Sequence, residues 1–245
     1  MRRRLINALA MLAAVGMAAG AQARNINFFT QYPQLDTRSW YVSDGWANGN
    51  YQSCEWQGRN ITATGNQGLQ LTLQNNGVKV RPIGCAQVNT TALYGYGIYE
   101  ARMQTVTGAG LNTAFFTYNG PSTGSPVWDE IDFEFLGKNP QTVQLNYFTN
   151  GKPQDGTVIQ LGFDASKSEH IYSFDWEANY IRWYVDGRLV HQTPAGAKIP
   201  KTPGHIYLSL WSGAANENAW LGAFNYTTPV KARVDWVHYT PGATK

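Results

Sequence analysis

Apolar residues recur at every second position through much of the chain. In GLQLTLQN (68–75), Leu69, Leu71 and Leu73 alternate with polar partners. The runs 94–106, 111–120, 142–151, 170–179, 180–193, 205–213 and 230–240 repeat this habit, each bounded by Gly, Asn, Pro or Asp. A period of two sends successive side chains to opposite faces of a strand, and short punctuated runs of this kind predict an antiparallel sandwich or barrel. YVDGRLVHQ (184–192) carries Asp186-Gly187 between alternating arms, which predicts a tight hairpin. No sustained helical period, internal repeat or linker interrupts residues 24–245, so one all-β domain is expected there.

One run departs from ordinary alternation. In SPVWDEIDFEFLGKN (125–139), Ile131, Phe133 and Phe135 would face a core, and Glu130, Asp132 and Glu134 would share the opposite face. Three carboxylates on one face repel each other, which costs stability and should raise at least one pKa. An acid that keeps its proton beside an ionised carboxylate is the pairing used in glycoside hydrolysis. At ~3.3 Å per residue, Glu130 and Glu134 lie about 13 Å apart at their Cα atoms. Two glutamate side chains leaning inward bring the carboxyl groups to roughly 5–5.5 Å, the spacing that gives retention of configuration. An aspartate at either end would fall short.

Other readings compete. Calcium ligands come from loops more often than from one straight strand. A salt-bridge row would need cations on adjacent strands, where only Arg102 and Lys138 are candidates. A solvated acidic edge fits poorly beside Trp128 in so aromatic a chain. An all-β domain that binds sugar without cleaving it would have no need of mutually repelling acids.

The first residues change the charge reading. MRRRLINALAMLAAVGMAAGAQA has an arginine-rich start, a short apolar run and Ala21-Gln22-Ala23, the pattern of a secretory signal cleaved after Ala23. The expected products are residues 1–23, a signal peptide, and residues 24–245, a catalytic domain that is secreted or periplasmic. Removing Arg2, Arg3 and Arg4 leaves 16 Lys and Arg against 16 Asp and Glu, so the mature chain is neutral. That balance argues against nucleic acid as a partner. No later segment is long enough to span a bilayer.

Charged residues make up 14% of the chain, against 13% aromatics with 9 Trp and 14 Tyr, which suits a cleft that stacks sugar rings. Cys54 and Cys85 are the two cysteines, and an exported lone pair is expected to form a disulfide. None of His170, His191, His205 and His238 is expected in a site.

WDEIDFEFLGK (128–138) resembles the Glu-x-Asp-x-Glu signature of glycoside hydrolase family 16. The likeness extends through SDGWANGNYQSCEW (43–56), YGYGIYEARM (94–103), AFFTYNGP (114–121), VQLNYFTNG (143–151), LGFDASKSEHIYSFDW (161–176), IRWYVDG (181–187) and DWVHYT (235–240). These segments are similar to bacterial β-1,3-1,4-glucanases, the lichenases. LDTRSWYVSDGW (35–46) and AGLNTAFFTY (109–118) are also similar to secreted glycanases that trim acidic exopolysaccharides.

The resemblance implies a β-jelly-roll sandwich of two curved antiparallel sheets with a concave substrate cleft. It implies an endo-acting retaining enzyme in which Glu130 is the nucleophile, Glu134 the acid and base, and Asp132 the group between them. The substrate implied is a β-glucan of the lichenan type, the alternatives being a bacterial exopolysaccharide or a β-1,3-glucan. Trp46, Asn48, Phe116, Tyr118, Trp128, Asn146, Phe148, Trp211 and Trp220 are the implied substrate contacts. Gln87 and Asn89 stand where lichenases carry Glu and Arg, which puts lichenan specificity in question. Cys54 and Cys85 match the family's disulfide. No cofactor is needed for the chemistry. A structural Ca²⁺ held mostly by backbone carbonyls is a family feature, with Asp235 the matching position. A monomer is expected.

Overall fold

The computed structural model describes residues 24, 26–32, 34–65 and 68–242. The expected signal segment 1–23 lies outside the described residues. The strands begin with β1 Phe28–Gln31, β2 Trp40–Val42, β3 Cys54–Trp56, β4 Ile61–Ala63, β5 Leu69–Leu73 and β6 Ile83–Thr90. The long central ones follow: β7 Gly97–Gln104, β8 Leu111–Asn119, β9 Asp129–Leu136 and β10 Thr142–Thr149. Next come β11 Lys152–Pro153, β12 Val158–Gln160, β13 His170–Trp176, β14 Ile181–Val185 and β15 Arg188–Gln192. The chain closes with β16 His205–Ser212, a four-residue helix Asn218–Leu221, and β17 Val230–Pro241.

Two sheets face each other. One has the order β15-β14-β13-β7-β17-β5-β4, with β1 paired to β17. The other has the order β11-β10-β9-β8-β16-β6-β2, with β12 paired to β10 and β3 lying parallel to β6. This is the all-β jelly roll of two antiparallel sheets that the alternation and the resemblance led one to expect. The Asp-Gly hairpin is also present: Asp186 and Gly187 have φ of 50° and 76° and join β14 to β15. Two successive positive φ values match the right-handed twist of the flanking strands.

The alternating apolar positions meet between the sheets. Ile131, Phe133 and Phe135 of β9 are at most 1% exposed. Phe133 stacks on Phe115 at 6.3 Å, and Phe135 meets Tyr172 of the opposite sheet edge to face at 4.6 Å. One cross-sheet contact is polar: Trp183 of β14 donates from its indole nitrogen to the Asp132 carbonyl at 3.3 Å. Burying three large apolar side chains here drives β9 onto the core, and a Phe→Ala change at such a position costs about 3–5 kcal/mol. The acidic face of β9 is thereby forced outward into the concavity.

Cys54 and Cys85 form the expected disulfide, with Cα atoms 5.8 Å apart. Beside it sits an unforeseen buried carboxylate. Glu55 is fully buried and accepts from the backbone N–H groups of Val78, Lys79, Val80 and Arg81. Burial alone would raise its pKa, but these four donors outweigh that effect and hold it at about 2. Arg81 in turn reaches the carbonyls of Gln52 and Gly49, at the rim of the concave sheet.

Glu55→Gln is expected to lower the thermal midpoint by roughly 6–12 °C at neutral pH, because an amide N–H₂ would face backbone donors in place of an oxygen. A folded-state pKa depressed to about 2 gives stability that is present above the unfolded value and lost as pH falls toward 2. The gap between wild type and variant, followed by thermal melts, should therefore narrow between about pH 4.5 and pH 2.

Candidate active site

The register of the concave sheet sets the site. Across β8, β9 and β10, Tyr118, Glu130 and Phe148 form one row, Phe116, Asp132 and Asn146 the next, and Ala114, Glu134 and Gln144 the third. β16 extends the second row with Tyr207 and the third with Ser209. Gln87 of β6 then pairs with Ser209. These side chains line a cleft of about 810 Å³, with Glu130, Asp132 and Glu134 on its floor.

Aromatic rings bound the acidic row at both ends. Trp128 stacks on Phe148 at 5.4 Å and meets Tyr118 edge to face at 6.1 Å, on the Glu130 side. Trp211, Trp220 and Tyr51 cluster on the Glu134 side, with centroid separations of 6.1 and 5.9 Å about Trp211. Gln144, opposite Glu134 on β10, accepts from the Trp220 indole at 2.7 Å and fixes that ring. Flat faces at each end of a polar floor suit sugar rings, which present apolar C–H faces and polar edges.

The three carboxyl groups are not equivalent. Burial raises the pKa of Glu130. The Trp128 N–H, at 2.6 Å from Oε2, and a hydrogen bond with Asp132 oppose that rise. Burial also raises Glu134, and the charge on Glu130 pushes it further up. Asn112, donating to Oε1 at 3.1 Å, partly offsets this. Asp132 is driven well above its ordinary value by burial and by both neighbouring glutamates. Its Oδ2 is buried without a partner, which disfavours an ionised Asp132 and favours a proton shared with Glu130. Both glutamates are raised, Glu130 to about 7 and Glu134 to about 8, so Glu130 is the first of the two to lose its proton.

Most of the anticipated site residues meet at this cleft. Trp46, Asn48, Gln87, Phe116, Tyr118, Trp128, Asn146, Phe148, Trp211 and Trp220 all line it with the acidic row. Asn89 does not: its amide turns to the Thr90 carbonyl at 3.0 Å. Asn146 is largely committed to the fold, since its side-chain oxygen accepts from the N–H groups of Tyr147 and Asp155. Asp235 lies in the opposite sheet and accepts from Arg102 at 2.8 Å. Among the described residues, no group of three or more His, Cys, Asp or Glu side chains converges as metal ligands.

Several lining residues were not anticipated. Tyr207, Ser209 and Gln144 belong to the cleft, as do Tyr51 and Glu217, and Asn112 touches Glu134. The strand ones share a signal, because each lies two or four positions from a residue already singled out. Tyr207 and Ser209 precede Trp211, Gln144 precedes Asn146, and Asn112 precedes Phe116. Tyr51 and Glu217 lie in short 3₁₀ turns, Gly49–Tyr51 and Ala215–Glu217, where no alternation guides the eye.

Comparison with known proteins agrees with this geometry. Residues 48–238 match the family described as Glycosyl hydrolases family 16, and the chain belongs to that family; it is a glycoside hydrolase. It is 41% identical over 229 residues to a β-glucanase of Bacillus licheniformis, covering 94% of this chain and 91% of that protein. It is 42% identical over 214 residues to the endo-1,3-1,4-β-glycanase ExoK of Rhizobium meliloti, covering 87% and 78%. Among solved structures, a prokaryotic β-1,3-1,4-glucanase (lichenase) derived from a mouse hindgut metagenome superposes with a TM-score of 0.82 at 40% identity, covering 88% of this chain and 99% of that one.

Trp128→Phe keeps the stacking surface and deletes the N–H that stabilises the Glu130 anion. The Glu130 pKa should rise, moving the acid limb of the kcat/KM profile toward higher pH by about one unit. An unchanged acid limb would show that this hydrogen bond does not hold Glu130 ionised.

Proposed function

We propose that the protein is a secreted endo-β-1,3-1,4-glucanase that hydrolyses lichenan-type glucan with retention of configuration. The observation that carries this reading is the row Glu130, Asp132 and Glu134 on β9, flanked by aromatic rings at both ends of one cleft. Identity above 40% to the β-glucanase of Bacillus licheniformis supports the choice of polymer.

In the first step the Glu130 carboxylate attacks the anomeric carbon, forming a glycosyl–enzyme ester. Glu134 gives its proton to the departing glycosidic oxygen as that bond breaks. In the second step Glu134, now ionised, takes a proton from water, which attacks the same carbon and releases Glu130. The first step removes the charge on Glu130 that had raised the Glu134 pKa, so the acid becomes a base of suitable strength when it is needed. Asp132, between them, shares its proton with Glu130 and limits the repulsion across the row. Trp128 and Phe148 on one side and Trp211 and Trp220 on the other would hold sugars on either side of the scissile bond.

Release of reducing sugar from lichenan and from laminarin tests the reaction and its linkage preference, and failure on every linear β-glucan would refute it. Glu130→Ala should lower turnover by at least about 10⁴-fold, and azide should restore it, yielding the α-glycosyl azide from an activated donor. A β azide would exclude Glu130 as the nucleophile. The pH–rate profile should be bell-shaped, falling on the acid side as Glu130 gains a proton and on the alkaline side as Glu134 loses one.

A further inference from the structure

The cleft lining holds four ionisable carboxyl groups, Glu130, Asp132, Glu134 and Glu217, and no Lys, Arg or His. Three of the four belong to β9 and are accounted for by the reaction. Glu217 is different. It comes from the turn Ala215–Glu217 that follows β16, far from the acidic strand in the sequence.

That turn is fixed at both ends. The Glu217 N–H donates to the Ala214 carbonyl at 2.9 Å, and the Ala214 N–H donates to the Tyr51 carbonyl at 2.8 Å. Gly213, beneath it, leaves only 3.0 Å between the place of an added Cβ and the Glu217 Cβ, so the turn sits tightly on its base. Glu217 itself is half-buried between exposed neighbours. Its carboxylate forms no hydrogen bond or ion pair within the described residues, although it lies close enough to Tyr51 for its charge to be felt there. The structure therefore places an unpartnered carboxylate on the aromatic wall made by Tyr51, Trp211 and Trp220.

A carboxylate in that position has two consequences for a polysaccharide. Its oxygens accept hydrogen bonds from sugar hydroxyls while the rings beside it cover a sugar face, and charge-assisted bonds of this kind are about twice as strong as neutral ones. It also repels any carboxylate, pyruvyl ketal or sulfate carried by the polymer; no cation lines the cleft, and Lys138 and Arg81 nearby are turned to the backbone carbonyls of Ala219 and Gly49. We propose that Glu217 is a specificity-determining residue that selects uncharged glycan and excludes acid-substituted chains from the end of the cleft bearing Trp211 and Trp220. This rests on the reading of the cleft as a glucan site and adds a charge criterion to it.

The experiment measures dissociation constants by tryptophan fluorescence titration in a Glu134→Gln background, so that binding is read without turnover. The two probes are neutral mixed-linkage β-1,3-1,4-glucan and the same polymer lightly carboxymethylated. Without a change at Glu217, the carboxymethylated polymer should bind more weakly, and the gap should close in about 1 M salt, where the screening length falls to about 3 Å. Glu217→Gln should reduce the ratio of the two constants by about fivefold to tenfold, the effect of one charge at short range near a protein surface. Glu217→Lys should reduce it further, and Glu217→Ala should weaken binding of the neutral polymer by about tenfold.

A ratio unchanged within about twofold in both the Gln and Lys variants would overturn the proposal, as would failure of both polymers to bind the Glu134→Gln protein. Reducing-sugar release by the wild type separates the two claims. Hydrolysis of the neutral polymer with an unchanged ratio removes the charge criterion alone. A shifted ratio with no hydrolysis supports the charge criterion and removes the assigned reaction.

Discussion

The structure depends on holding three acids close together on the floor of a cleft without letting them push β9 away. Each would prefer to be neutral in that setting, and each is assigned a different way of meeting the cost. Glu130 has an indole N–H, Asp132 is driven toward its neutral form by burial and by both glutamates, and Glu134 has the amide of Asn112 and the option of staying protonated. The opposing force comes from the reverse side of the same strand, where Ile131, Phe133 and Phe135 are sealed into the core. Repulsion on one face is thus opposed by hydrophobic burial on the other, residue by residue.

Because the acids lie on a central strand, their neighbours are fixed by register and not by loops. Each row across β8, β9 and β10 presents one acid between two side chains of set identity. The loops contribute the ends of the cleft: the segment carrying Trp46, Asn48 and Tyr51, and the turn carrying Glu217 and Trp220. This division gives a rigid floor for chemistry and adjustable walls for choosing a polymer.

Much of this was legible in the sequence because period-two alternation is a direct imprint of a half-buried strand. The runs containing β5, β7 to β10, β13 to β17 and the Asp186-Gly187 turn could be placed without coordinates, and so could the shared face of Glu130, Asp132 and Glu134. β6 was not, since Gly84, Cys85 and Ala86 blur its pattern and every residue from Gly84 to Thr90 is buried. β1 to β4, β11 and β12 are too short to show a period. Nothing in the sequence marks Glu55 out from other acids, and only the fold reveals four backbone donors converging on it. Asn89 and Asp235 were placed by correspondence with relatives, and each carries a local partner, Thr90 or Arg102, that the correspondence did not disclose.

The indole of Trp183 has one further implication. It ties the backbone of Asp132, the middle of the acidic row, to the opposite sheet. The two layers of the sandwich therefore cannot slip past one another without dragging the centre of the reactive row along. Heat or denaturant that loosens the outer layer around β14 would reach the chemistry through this tether, even though no residue of that layer lines the cleft.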